Sequence, residues 1–150
     1  MAWSTPSTRS TSDLITAAIW NQDVVNNPVA LGEGAILVVM DGNTYTLGTG
    51  IAARFVVPKD LTITQVTLLA DQTGSIVIDI WKDTYANYPP TNADTITGGS
   101  EPTISSAIKY QDGTLSGWTT GLTSGDTLIV NIDSVTTITY CTMMLKIQQA

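Results

Sequence analysis

Apolar and polar positions alternate most regularly over residues 74–83, GSIVIDIWKD, where Ile76, Ile78 and Ile80 share one face of an extended chain and Val77, Asp79 and Trp81 the other. The pattern predicts a half-buried β-strand. Asp71-Gln72-Thr73-Gly74 supplies a turn ahead of it, and Asp83 opens a long, Pro-bearing loop behind it. Strand patterns recur along most of the chain, at residues 35–40, 44–47, 53–57, 61–69, 75–82, 104–110, 127–132 and 137–147. Asp41-Gly42-Asn43, between the first two, reads as a hairpin turn. Within residues 61–70 the apolar set moves from Leu61 and Ile63 to Val66, Leu68 and Ala70, a change of parity that predicts a bulge. A similar change separates Ile138 from Cys141, Met143, Leu145 and Ile147. Strands of this number, with no helix between them, predict a mainly β fold: an antiparallel β-sandwich or jelly roll rather than a parallel α/β sheet.

One stretch departs from this rhythm. Ala17, Trp20 and Val24 recur at helical spacing with Ile19 beside them, opposite Asn21, Gln22, Asp23 and Asn26. Ser12 and Thr16 are both candidate N-caps, and Asn27-Pro28 stops the helix. Ahead of it, residues 1–12 form a Ser/Thr-rich arm too polar to order itself, with Trp3 as its anchor if it lies along a neighbour. Two readings stand for the helix: Trp20 and Val24 pack on the chain's own sheet, or they dock on another subunit. The chain therefore divides into residues 1–33, an arm and helix suited to anchoring, and residues 34–150, the β domain.

Composition narrows the function classes. The 150 residues suffice for one domain with its own core, and the low charged fraction of 13%, with abundant Thr, Ser and Gly, suits a β protein. A net charge of −7, with six basic residues scattered singly, argues against a nucleic-acid partner. There is no histidine, which removes the commonest general base and the usual zinc ligands. Cys141, the single cysteine, lies within a strand pattern and reads as a small buried thiol. No apolar run has the length of a membrane helix, and MAWSTPSTRSTS lacks the apolar core of a signal peptide, so the expected site of synthesis and use is a cytoplasm.

Catalysis would have to rest on carboxylates. Asp79 and Asp83 lie four apart along one strand, with no sign of a partner acid across a cleft, which a glycosidase would need. Asp112-Gly113-Thr114 and Gly125-Asp126 read as turns, and no spaced acidic loop suggests calcium. Gly48-Thr49-Gly50 and Gly98-Gly99 read as flexible joints rather than phosphate-binding loops. The expectation is a protein that is not an enzyme and takes no cofactor or metal. The most individual segment is residues 84–102. Tyr85, Tyr88, Pro89 and Pro90 bring aromatic rings and rigid backbone together, either to close one end of the sandwich over its core or to stack on sugar rings or a protein surface.

Several segments together resemble small virion proteins of tailed bacteriophages. They are LITAAIWNQDVVNNPVAL, RFVVPKDLTITQVTLLADQTGSIVIDIWKDTYANYPPTNADTI, SGWTT, GDTLIVNIDS and ITYCTMMLKI, which cover most of the chain. The first is similar to a segment near the start of phage structural proteins, and the rest to a jelly-roll-like module of phage heads and fibres. The resemblance implies a non-enzymatic capsid decoration, or cement, protein located on the virion. Such a protein would be a homotrimer whose N-terminal segment, through Trp3, Trp20 and Val24, holds the major capsid protein. The alternative it implies is a small tail-fibre or receptor-binding module, with the loop of Tyr85, Tyr88, Pro89 and Pro90 on host glycans. No membrane partner is expected in either case.

Overall fold

The computed structural model describes residues 32–150, so the arm, the helix and the anchors Trp3, Trp20 and Val24 lie outside the described residues. Seven strands follow in order: β1 (Glu33–Asp41), β2 (Gly50–Val56), β3 (Leu61–Thr84), β4 (Thr103–Asp112), β5 (Gly121–Leu122), β6 (Asp126–Thr136) and β7 (Tyr140–Gln149). All pair antiparallel in one curled sheet of order β1-β7-β3-β6-β2, with β4 and β5 also on β3.

The curl comes from β3. Its first half, from Leu61 to Ala70, pairs with β7, and its second half, from Ser75 to Thr84, pairs with β6. β4 follows the same course on its other side, pairing Leu69 with Lys109 and Gly74 with Ala107. One continuous ladder thus belongs to two layers, and the sheet folds on itself into a β-sandwich. Between the layers, Ile63, Val66 and Leu68 meet Ile76, Ile78 and Ile80, with Leu128, Val130, Met143 and Leu145 from β6 and β7. Branched and linear aliphatic chains at alternate positions on both inner faces remove a continuous apolar surface from water, the dominant favourable term for such a fold.

The segment from Asp71 to Gly74 is therefore no turn but a bend within a 24-residue strand. Its pairing with β4 is irregular here. The bend is instead tied to the connection between β6 and β7. The Asp71 carboxylate accepts from the Thr139 hydroxyl at 2.5 Å and from the backbone N–H groups of Thr139 and Tyr140, while Gln72 Nε2 donates to the Thr137 carbonyl. The hydroxyl bond, followed by the backbone donors and opposed by desolvation, holds the Asp71 carboxyl below its ordinary value. A turn composition thus became a corner because side chains could satisfy the bonds that the ladder gave up.

The parity change in residues 61–70 is a register shift between Ile63 and Gln65 against β7. The later one is not a bulge within a strand: it falls in the connection after Thr136, where Thr137 has φ 63° and Ile138 is fully buried. The expected hairpin of residues 35–47 does not form either. Asn43 and Thr44 adopt positive φ and Tyr45 N donates to the Gly42 carbonyl, so the tight turn is present. The chain beyond it does not pair back, because β1 takes β7 as its partner along its whole length. Leu47 N donates instead to the Ile138 carbonyl, and Leu47 is buried in the core. Cys141 is buried as expected, and burial pushes its thiol up to about 11, which leaves it almost entirely protonated at neutral pH.

Gly98-Gly99 is not a flexible joint in its first residue. Gly98 has φ 61°, and a Cβ there would overlap the Gly117 carbonyl, so this position needs glycine for a close crossing of two loops. Beside that crossing Trp118 is half-buried against the core, with its ring N–H donating to the Ser100 carbonyl.

Candidate functional site

The mixed face of β3 is more covered than a half-buried strand would predict: Val77 and Trp81 are half-buried and Asp79 is buried. Asp79 is only 2% exposed, and Ile129, which with Trp81 and Arg54 makes one cross-strand row, is fully buried. The cover is the loop from Thr84 to Pro102. After a 3-10 turn at Tyr85–Asn87 and another at Asn92–Asp94, it returns beside β3, where Thr95 bridges Trp81 and Ile96 N donates to the Ile80 carbonyl.

Asp79 fastens this return. Its Oδ1 accepts from Thr95 Oγ1 at 2.6 Å, Thr97 Oγ1 at 2.9 Å and the Ile80 N–H at 2.7 Å, and its Oδ2 accepts from Trp81 Nε1 at 2.7 Å. Four donors solvate a carboxylate that burial would otherwise penalise heavily. The loop's other parts are fixed in the same manner. Asp83 Oδ1 accepts from Thr84 N and Asn87 Nδ2, and Asp94 Oδ2 accepts from both the N–H and the hydroxyl of Thr91, while the Thr91 side chain accepts from the Asp94 N–H to complete a capping box. Asp79 and Asp83 are thus acceptors within the loop's own scaffold and do not face each other as an acid pair.

The loop closes over the core, the first of the two purposes weighed for it, and leaves its tyrosines on the outside. Pro90, Ile96, Thr97 and Pro102 are buried, and Ile96 joins the main core. Tyr85, 74% exposed, and Tyr88 stay outside, with Pro89 exposed next to them across a cis Tyr88–Pro89 peptide. The two rings stand over the end of β2, where they and Arg54, Phe55, Val56 and Thr127 line an open groove of about 440 Å³. The groove's floor is set by the register that places Val56 opposite the buried Thr127. The Arg54 side chain, like that of Lys109, has no hydrogen bond or ion pair among the described residues, whereas Lys82 and Lys146 each pair with a carboxylate and Lys59 bonds the Gln149 side chain. Among the described residues the groove offers flat aromatic faces, an apolar floor and one guanidinium.

A second surface lies on the opposite layer. β1 is an edge strand of nine residues with no proline, no charge between Gly34 and Met40, and unbroken register against β7. Leu37, 62% exposed, stands in one row with Met144 and Thr67, and the exposed Val39 in the next with Thr142 and the exposed Leu69. Of the other strands with one partner, β2 carries a bulge between Ile51 and Ala53 and the outward Arg54, which discourage further strand pairing. β1 has neither device.

Arg54 and the β1 face are absent from the candidate residues read in the sequence. Arg54 meets the tyrosines only through the pairing of β2 with β6, which no local signal encodes. Residues 35–40 are apolar at every position, which hides that alternate members point outward. Among the described residues no cluster of three His, Cys, Asp or Glu could hold a metal, and no helix is long and apolar enough to cross a membrane. Comparison of the chain with protein-family models and with curated proteins gave no match in either.

Proposed function

We propose that this chain is a non-enzymatic structural protein of a tailed-bacteriophage virion, acting as a trimeric decoration protein that stabilises the head shell. The observation that supports this reading is the β1 edge, which no described strand pairs on its outer side, with Leu37, Val39, Leu69 and Met144 on the adjoining outer face. A regular edge with an uncharged centre beside contiguous apolar side chains is a surface that folded proteins cover with another chain. In sequence, β1 directly follows the segment that bears Trp3, Trp20 and Val24. The stoichiometry of three, the major capsid protein as partner and the location on the virion come from the sequence resemblance.

Sedimentation of the full chain tests the self-association. At micromolar concentration the unaltered protein should sediment as a trimer. The double substitution Leu37→Lys with Val39→Lys, on exposed side chains, should give a monomer with an unchanged far-UV circular dichroism spectrum. A monomeric unaltered chain, or a double variant that remains trimeric, would remove β1 from the assembly.

A second reading, a small tail-fibre or receptor-binding module for host glycans, is favoured by the rigid, tyrosine-rimmed groove at Tyr85 and Tyr88. Its protein stacks sugar rings on aromatic faces that are held ready by the Asp83, Asp94 and Asp79 bonds, so little order has to be created on binding.

A further inference from the structure

We infer that the groove of Tyr85, Tyr88 and Arg54 binds an acidic saccharide, taking the sugar's carboxylate on the Arg54 guanidinium and a ring face on the tyrosines. The inference rests on the glycan-binding reading of the same loop and adds the charge class of the ligand.

Three observations carry it. First, Arg54 is the groove's only charged side chain, and it is unpaired among the described residues of a chain with net charge −7. In so acidic a protein the remaining field repels anions, so a guanidinium that has no carboxylate of its own and lines a groove with two tyrosine rings is a place where an anion can be accepted. A planar guanidinium matches a carboxylate with two parallel hydrogen bonds. Second, the groove's volume of about 440 Å³ lies within the range of roughly 300–1,000 Å³ usual for small-ligand sites. Its walls are two exposed rings, which offer contact area to a sugar at small entropic cost. Third, an extended acidic peptide is the poorer occupant. It would add to the β2 edge by backbone pairing, and the bulge between Ile51 and Ala53 interrupts that edge.

The test is a calorimetric titration of the full chain at low salt with three probes: an oligosaccharide containing glucuronic acid, the same oligosaccharide with its carboxyl groups reduced to alcohols, and a glutamate oligopeptide. The acidic saccharide is expected to bind about tenfold or more tighter than its reduced form, with the advantage fading as salt screens the charge. Arg54→Gln should abolish the difference and leave weak binding of both saccharides, whereas Tyr85→Ala with Tyr88→Ala should remove both. All three side chains are exposed or groove-lining without structural hydrogen bonds of their own, so these variants should keep the native spectrum. Equal binding of the two saccharides, unaltered by Arg54→Gln, overturns the assignment of charge while the glycan reading survives. Absence of binding by either saccharide overturns both, and a glutamate peptide that binds as tightly as the acidic saccharide overturns the saccharide as ligand.

Discussion

Asp79→Ala is expected to destabilise the protein by about 3 kcal/mol, because it strands the buried donors of Ile80 and Thr97 and the part-buried donors of Trp81 and Thr95 in one step. Each buried polar group left without a partner costs about 1–3 kcal/mol, and relaxation or entering water recovers only part of the sum. For a chain of this size the loss corresponds to a fall of about 10 °C in the unfolding midpoint. The damage should also be local before it is global. Thr95 and Thr97 no longer tie the loop to β3, so amide exchange should accelerate at Ile96 and Thr97 ahead of the strands around Ile78. Asp79→Asn should lie between the two, since its amide oxygen still accepts from the threonines while its NH₂ group opposes the Trp81 N–H. Chemical denaturation monitored by tryptophan fluorescence reads the effect. A loss under about 0.5 kcal/mol would mean that the carboxylate is incidental to the loop.

Gly74→Ala is expected to cost about 3 kcal/mol, at the upper end of overpacking effects. Gly74 is buried at the bend where β3 passes from one layer to the other, and its need for glycine is spatial, since its φ is not positive. A Cβ would stand 2.5 Å from the Thr136 carbonyl and 2.7 Å from Ile138 Cγ1, and would also press on the Thr137 hydroxyl. Two of these neighbours cannot swing away. The carbonyl is backbone, and Ile138 is fully buried in the core. Relief requires parting β3 from the connection between β6 and β7, which would also loosen the Asp71 bonds to Thr139 and Tyr140. Ala at exposed Gly121, where a Cβ meets open space, is the control. Denaturation midpoints that fall equally for both variants would contradict the corner's role.

What the sequence made legible follows from the range over which each signal acts. The alternation of Ile76, Ile78 and Ile80, and of Cys141, Met143 and Leu145, is a local record of which face meets the core, and each of these residues is fully buried. The shift of parity near Gln65 is equally local. By contrast, the polar residues from Asp71 to Thr73 and the Asp41-Gly42-Asn43 turn encode a change of chain direction without encoding the partner strand. Whether the chain returns beside itself or crosses to another layer depended on β7, about a hundred residues after β1. The tyrosines could be singled out because exposed aromatics beside prolines are unusual in composition. Arg54 could not, because an isolated arginine in a strand looks the same whether it faces water or a groove. Asp79 stood in view as a polar member of the strand's mixed face, but Thr95 and Thr97, its main partners, sit in a loop whose path only tertiary structure defines.

The proposal that the chain decorates a phage head is tested most directly by its copy number in purified particles of the phage that encodes it, measured by quantitative mass spectrometry against the major capsid protein. A head decoration protein built on the β1 interface should be present in a number of the same order as the capsid protein. A handful of copies, or none, would contradict that account; the handful would leave the tyrosine groove as the surface through which the protein acts.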